Sequence, residues 1–559
     1  MTKVTEDDIR SNGNSGWHPD MIGSPKVEIG ILVALALLGV SIFAACSGGD
    51  SDGVTAANHS FVATSADVLT YNNDNIRSGQ NLQETALTPG NVRAATFGKL
   101  FSFPVDGAVY ARPLYVANVP VAGQLHNVVF VATEHNSVYA FDADNRTSAP
   151  LWHRSFINPA GGITTVPSND THCSDINPEI GITSTPVIDP ATGILYVVAM
   201  TKENLAYAHR IHALDITTGN DVLGTGPKIQ TFVPGTAAPN DGKGHLVFSS
   251  LLENQRAALL LNNNALYISF GSFCDAGDFH GWLLAYDSRT LILVGAFSAT
   301  PNGTEGGIWQ SGGGAAADAS GNVYVATGNG SFDAASGGKN YGDTVIKFSG
   351  ASLAVSDYFT PNNQASLEAV NGDLGSGGAL LLPDQSAGPP HLLVTAGKQG
   401  TIYLVNRDKM GKFQTGSDSQ IVQSLPGPFE LFGTPAYYKN TVYIVAAQDR
   451  LKAYSLSNGQ LSLSKQSTSV FGWPGATAVI SANGSNNGVV WALETNGSGA
   501  PAVLHAYSAA DVSIELYNSN QNAARDVPGP AVKFAVPTIT NGKVYVGLQG
   551  QLSVFGLLR

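Results

Sequence analysis

Charge is scarce in this sequence: Asp, Glu, Lys and Arg make up 13% of 559 residues, and the net charge is -13. No run of Lys and Arg occurs anywhere, which argues against a nucleic-acid surface, because such a surface needs clustered basic charge. Cysteine is nearly absent, with three residues at 46, 173 and 274, and no Cys-x-x-Cys-His occurs to attach a haem. Long apolar runs are lacking too, apart from 29–46, so the chain crosses a bilayer once at most. What it does have is 63 Gly and 28 Pro, the composition of many short strands joined by tight turns.

The stretch 127–142, Asn-Val-Val-Phe-Val-Ala-Thr-Glu-His-Asn-Ser-Val-Tyr-Ala-Phe-Asp, reads as two alternating strands around a polar turn. A lone hairpin cannot bury its apolar face in water. Seven further copies supply neighbours, at 193–215, 265–287, 321–348, 391–405, 441–454, 488–507 and 543–555. Self-similarity at roughly fifty to seventy residues, built from strands and Gly-rich turns, predicts an all-β propeller of eight blades, with seven as the alternative. The chain ends on a strand (543–555), and strand-forming material precedes the first repeat, so the termini are expected to share a blade and latch the ring.

Ahead of the propeller, 1–28 is polar and reads as disordered, and 47–67 as a flexible linker, leaving 68–559 for the propeller domain. Between them 29–46 carries no charge and ends Phe43-Ala-Ala-Cys46, followed by a small polar tether. That pattern is similar to a bacterial lipoprotein signal with Cys46 as the lipidated residue, although Phe43 and the acids before the apolar run depart from it. A membrane-anchoring helix and a cleaved signal peptide stay open beside it. Each reading puts the propeller outside the cytoplasm, in the periplasm or at the cell surface. There Cys173 and Cys274 are free to pair, but spacing alone leaves two separate thiols equally open. Around them, 171–179 and 274–280 mix His, Cys and carboxylates; a bonded pair would set these loops side by side at the channel mouth. A zinc site there has no recognisable ligand spacing.

The opening stretch 71–80, the turn 213–219, Gly306-Gly-Ile-Trp309, Thr327-Gly-Asn329 and Gly397-Lys398-Gln-Gly400 occur together in one chain, and on them, from Tyr71 to Leu558, it resembles the quinoprotein alcohol dehydrogenases, eight-bladed propellers that hold pyrroloquinoline quinone (PQQ) and a metal ion. The opening Tyr71-Asn-Asn-Asp-Asn-Ile-Arg-Ser-Gly-Gln80 and the turn Ala213-Leu-Asp-Ile-Thr-Thr-Gly219 carry part of the likeness, and Trp152 stands where a blade-docking Trp is expected. In Gly306-Gly-Ile-Trp309 the resemblance makes Trp309 the floor of the quinone pocket, since a planar cofactor needs a flat aromatic face; a Trp packed between blades is the alternative. In Thr327-Gly-Asn329 it makes Asn329 a metal ligand, suited to a hard cation such as calcium or a lanthanide, although Gly-Asn-Gly is also ordinary turn chemistry. Glu203, just after the strand ending Ala199-Met200, falls where a ligand Glu is expected. In Gly397-Lys398-Gln-Gly400, Lys398 is placed to contact the quinone, where an ammonium stabilises charge on a quinone oxygen; a solvated turn Lys is the alternative.

Two departures weigh on catalysis. The gap-free register of Val370-Asn371-Gly-Asp373 sets Asn371 at the general-base position and Asp373 at a second, metal-binding one. An amide does not accept a proton as a carboxylate does, which leaves Asp373 as the candidate catalytic carboxylate. The adjacent Cys-Cys pair that many members carry is also missing. Two functions therefore compete. One is a PQQ-dependent dehydrogenase acting on a small alcohol or sugar. The other is a non-catalytic, membrane-tethered propeller that binds an envelope protein or glycan.

Overall fold

The strand Ile194–Glu203 shows how a repeat becomes a blade. Its alternate residues Leu195, Val197 and Ala199 pack against Leu114, Val116, Val128 and Phe130 of the preceding repeat. The residues between them, Tyr196 and Val198, pack against Leu266, Ile268, Phe270 and Trp282 of the following one. Both faces are buried, so one sheet cannot stand without its two neighbours. In a computed structural model of the chain, residues 64–558 are described, apart from 65 and 428. The expected disordered region 1–28, the signal or anchor 29–46 with Cys46, and nearly all of the linker 47–67 lie outside the described residues. Among those described, no helix is long and apolar enough to cross a membrane.

The described chain forms eight blades. Their central strands are Gln124–Ala132 with Ser137–Asp142, Ile194–Glu203 with Ala206–Asp215, Ala265–Ser272 with Trp282–Asp287, and Asn322–Ala326 with Val345–Ser349. Then follow Leu392–Ala396 with Ile402–Asn406, Thr441–Val445 with Arg450–Ser457, Asn486–Glu494 with Val503–Ser508, and the long segment Lys543–Leu557. Eight apolar clusters separate eight neighbouring pairs, so the eighth interface, between blades 8 and 1, closes the ring. There Phe103, Tyr545 and Val554 meet Tyr115, Val129 and Phe141. Seven blades are thereby excluded. The latch is also present: Phe97–Ala108 pairs antiparallel with Lys543–Leu557, from Phe97 opposite Leu557 to Ala108 opposite Gln549.

Trp152 docks on blade 2, its indole N–H donating to the Ile216 carbonyl at 2.8 Å. Gly219 beneath it is obligatory: a Cβ there would fall 2.5 Å from the Trp152 ring.

Segment 68–81 does more than open the chain. It bonds the innermost strand of every blade in turn. Val68 donates to Tyr115 of blade 1, and Leu69 accepts from Ile188 of blade 2. The Asn75 side chain donates to Leu261 of blade 3, and its carbonyl accepts from Ala317 of blade 4. The carbonyls of Ile76, Ser78 and Gly79 accept from Leu381, Tyr437 and Ile480 of blades 5, 6 and 7. Asn81 donates to Ile539 of blade 8. Arg77 sits fully buried in this hub, donating to the carbonyls of Ala315, Tyr71 and Leu259 and to the Thr70 hydroxyl.

Candidate functional site

The segments that lead into the innermost strands, five to eight residues before they meet the hub, converge on one cavity of about 630 Å3, its open mouth included. Arg256 precedes the hub contact at Leu261, Trp309 precedes Ala317, Asp373 precedes Leu381, and Phe534 precedes Ile539. The walls are completed by Asp175 and Ile180 before blade 2 and by Ser272 to Asp275 at the end of a blade 3 strand. Cys173 and Cys274 are bonded to each other, 101 residues apart in sequence, and their disulfide lines this cavity. The loops 171–179 and 274–280 thus do lie side by side. Cys173, Asp175 and Cys274 offer ligand atoms within 4.8 Å of one another, but both sulfurs are spent in the bond and supply no thiolate for zinc. His280 lies away from the mouth, buried against Thr300 and the Ala238 carbonyl.

Four of the expected site residues come together. Lys398 Nζ lies 5.8 Å over the Trp309 ring. The same ammonium is ion-paired with Asp373 and donates to the Asn371 side-chain oxygen at 2.6 Å. Asp373 in turn accepts from the Asn329 backbone N–H at 2.9 Å. Gly328 makes that approach available, since a Cβ there would stand 2.2 Å from the carboxylate oxygen. Burial pushes the Asp373 carboxyl up, and the Lys398 charge opposes the shift. Asn371 has left-handed backbone (φ 53°), which Asn tolerates, and its amide donates to Asp275 at 2.9 Å. It therefore bridges Lys398 and Asp275 instead of presenting a carboxylate.

Glu203 is a correction. It ends a blade 2 strand, where Arg210 (2.6 Å) and Lys228 (2.7 Å) hold its carboxylate. The Arg210 bond, joined by the Lys228 bond, outweighs the upward push of burial and pulls its carboxyl down to about 2. The carboxylates that face Asn329, Asn371 and Asp373 are different ones. Asp275 follows the bonded Cys274, and Glu305 accepts from the Asn329 side-chain amide. Burial and the charges of Glu368, Asp275 and Asp373 push Glu305 up to about 7. Asp343 nearby, buried and facing Asp373 and Glu368, is pushed up to about 8. Asp275 could be found in the sequence only as a polar neighbour of Cys274; Glu305 carried no signal at all. Oxygen atoms crowded around one cation, Lys398, suit a hard metal ion.

The far wall has the opposite sign. Arg256, 6% exposed, lies between the rings of Tyr110 (5.4 Å) and Phe534 (4.9 Å). Lys533 stands over Phe534 and Trp473 and pairs with Asp175 at 2.9 Å. Phe432 and Phe534 also pack on Trp309, at 6.3 and 6.2 Å between centroids.

The chain has the PQQ-like propeller fold. It superposes on the quinohemoprotein alcohol dehydrogenase of Comamonas testosteroni with a TM-score of 0.60 at 14% identity, over 88% of this chain and 80% of that one. The alcohol dehydrogenase ADHIIG of Pseudomonas putida HK5 gives 0.58 at 13%, again over 88% and 80%. A europium-containing methanol dehydrogenase gives 0.57 at 13%, covering 88% of this chain and 98% of that one. No family model matches the sequence, and no curated protein matches it. At such identities the likeness speaks for the fold, and the site stands on its own residues.

Proposed function

We propose that the cavity binds a planar quinone of the PQQ type together with an oxygen-ligated metal ion, in a protein that oxidises a hydroxyl-bearing small molecule outside the cytoplasm. The observation that carries this reading is Lys398, held over the Trp309 face while bonded to Asp373 and Asn371. The residues fit both groups. Trp309 offers the flat face, and Asp275, Glu305, Asn329 and Asp373, linked by hydrogen bonds through Asn371 and Asn329, are the oxygen-bearing side chains that would hold calcium or a lanthanide. The Asn254 side-chain oxygen is buried at the cavity wall without a partner. A bound PQQ supplies a two-electron acceptor for hydride from the substrate.

The chain's own part is positioning and charge. Lys398 places a cation beside the Trp309 face, where it stabilises an oxygen gaining negative charge. Asp373, held from below by the Asn329 N–H, is the carboxylate nearest that ammonium and the candidate proton acceptor. Asn371 orients Lys398 and Asp275 and accepts no proton itself. The disulfide supports an extracytoplasmic location, because oxidising compartments preserve such bonds; tethering through Cys46 accords with that location. Asn371 favours a second reading, in which the same pocket binds its ligand without turnover and the propeller serves as an envelope binding module.

The test is to add PQQ with calcium, and separately with a lanthanide, to the protein from residue 47 onward. A stoichiometric bound chromophore and a raised unfolding temperature, both lost in Trp309→Ala, are expected. Folded protein that binds neither loaded form overturns the reading.

A further inference from the structure

Arg256 is the least explained charge in the molecule. Its Nε and Nη2 are buried and have no hydrogen-bond partner. Taking a guanidinium out of water without partners is costly, so such a group persists where something outside the chain completes it. Burial pulls its pKa down, yet an Arg side chain stays charged at neutral pH. The rings of Tyr110 and Phe534 fix its plane. Its nearest acids make no hydrogen bond to it: Asp175 is bonded to Lys533, and Glu134 accepts from the Gly181 N–H and the Thr183 hydroxyl through Oε2 while its Oε1 is itself buried without a partner. Two residues away, the Asn254 Oδ1 is buried and unpartnered on the same wall. The wall therefore presents a cationic fork beside a lone acceptor, while Asp275 and Asp373 line the other side of the cavity.

We propose that Arg256 seats a carboxylate of the pocket's ligand, with the Asn254 oxygen accepting from an adjacent N–H or O–H group of that ligand. Two sources share this chemistry: a carboxylate on the planar cofactor, or one on an acidic hydroxyl substrate. A fork of this geometry reads a carboxylate in two bonds. The inference deepens the proposed function by naming the ligand's charge, but the anion seat itself does not depend on a quinone.

The experiment uses the full-length protein and follows tryptophan fluorescence and calorimetric binding. The probes are benzene-1,3-dicarboxylate against its dimethyl ester, and PQQ against its trimethyl ester, each with wild type, Arg256→Leu and Arg256→Gln. Wild type is expected to prefer the acids. Loss of the guanidinium weakens that binding about 10-fold or more in either variant, each charge-assisted bond contributing roughly 10- to 100-fold. The ligand-free variants are expected to unfold at or above the wild-type temperature, because they remove an uncompensated charge; an Arg with a merely structural role would give the opposite shift. If the quinone acid loses affinity in both variants, the cofactor carries the carboxylate. If the quinone acid and ester bind alike while the benzene dicarboxylate depends on Arg256, the substrate carries it. If no quinone binds but the dicarboxylate depends on Arg256, the quinone reading falls and the anion seat stands. Equal affinity of wild type and both variants for every acid overturns the seat.

Discussion

Replacing Arg77 by Met tests whether the hub holds the ring. The side chain is fully buried and donates four hydrogen bonds: to Ala315 (2.9 Å), Tyr71 (2.9 Å) and Leu259 (3.2 Å) carbonyls and to the Thr70 hydroxyl (2.8 Å). Burial pulls its pKa down to about 10, which leaves it charged at pH 7. Met keeps the apolar stem but strands three buried carbonyls, each at a cost of about 1–3 kcal/mol. Release of the guanidinium from its own burial offsets part of that, so a net loss of about 4 kcal/mol is expected. A domain of about 500 residues unfolds with an entropy near 1 kcal/mol per kelvin, so the shift in Tm is about 4 °C. Arg289→Met is the control, since that side chain is 69% exposed and pairs only with Asp287; it is expected to change Tm by under about 0.5 °C. Scanning calorimetry at one fixed heating rate makes the comparison, because a chain of this size need not refold. An Arg77→Met protein that unfolds within 1 °C of wild type would refute the claim that the hub's polar bonds are needed.

Two further outcomes follow from the site and from blade 7. Glu203→Gln should leave lanthanide binding, read by luminescence titration, unchanged within about twofold, whereas Asp275→Asn should weaken it about tenfold or more, as loss of one anionic ligand implies; the reverse order would reinstate Glu203 as the ligand. His505 lies between Glu515 (2.7 Å) and Glu494 (3.3 Å). Burial alone would lower the imidazole, but the two glutamates outweigh it and hold it above 6.5, while the imidazole holds both glutamates below 4.5 against the upward push of burial. The histidine's contribution is full below 6.5 and lost as pH rises through its folded value; the glutamates' is full above 4.5 and lost on acidification. The Tm gap between wild type and His505→Gln should therefore be widest between about pH 4.5 and 6.5, and a gap constant from pH 5 to 8.5 would sink the assignment.

The eight repeats were legible because alternation is a local property. Leu195, Val197 and Ala199 interleave with Tyr196 and Val198 in the sequence itself, and each set finds its own neighbouring blade. Trp309, Asn329, Asp373 and Lys398 could be singled out for a different reason: each sits in a short Gly-rich stretch of recognisable pattern, and the structure brings the four together, while their roles rest on the proposed function. Glu203 misled because a strand-end Glu looks the same whether it faces a cavity or an Arg in its own sheet, and here Arg210 lies across the hairpin. Arg256 gave no signal, since its meaning depends on rings from residues 110 and 534, at the two ends of the chain. Segment 68–81 shows a motif but not a role, because its eight partners are spread over more than 400 residues.

Hub and pocket occupy two levels of the same eight inner segments, and they obey different rules. At the hub level the bonds to the blades run mostly between backbone groups, as with Ile188 to Leu69 or Ile480 to Gly79, so those bonds read no blade side chain. Five to eight residues earlier, about 27 Å at most along an extended strand, the groups that meet are side chains: Arg256, Trp309, Asp373, Phe534. Changing one residue there alters the cavity without touching the ladder that holds the ring. A ring closed by backbone bonds at one level and lined by free side chains at the next can keep its fold while its ligand changes. That separation explains how a likeness of 14% identity retains a TM-score of 0.60, and it is why the proposed ligand rests on Asn371, Asp275 and Arg256 more than on the fold.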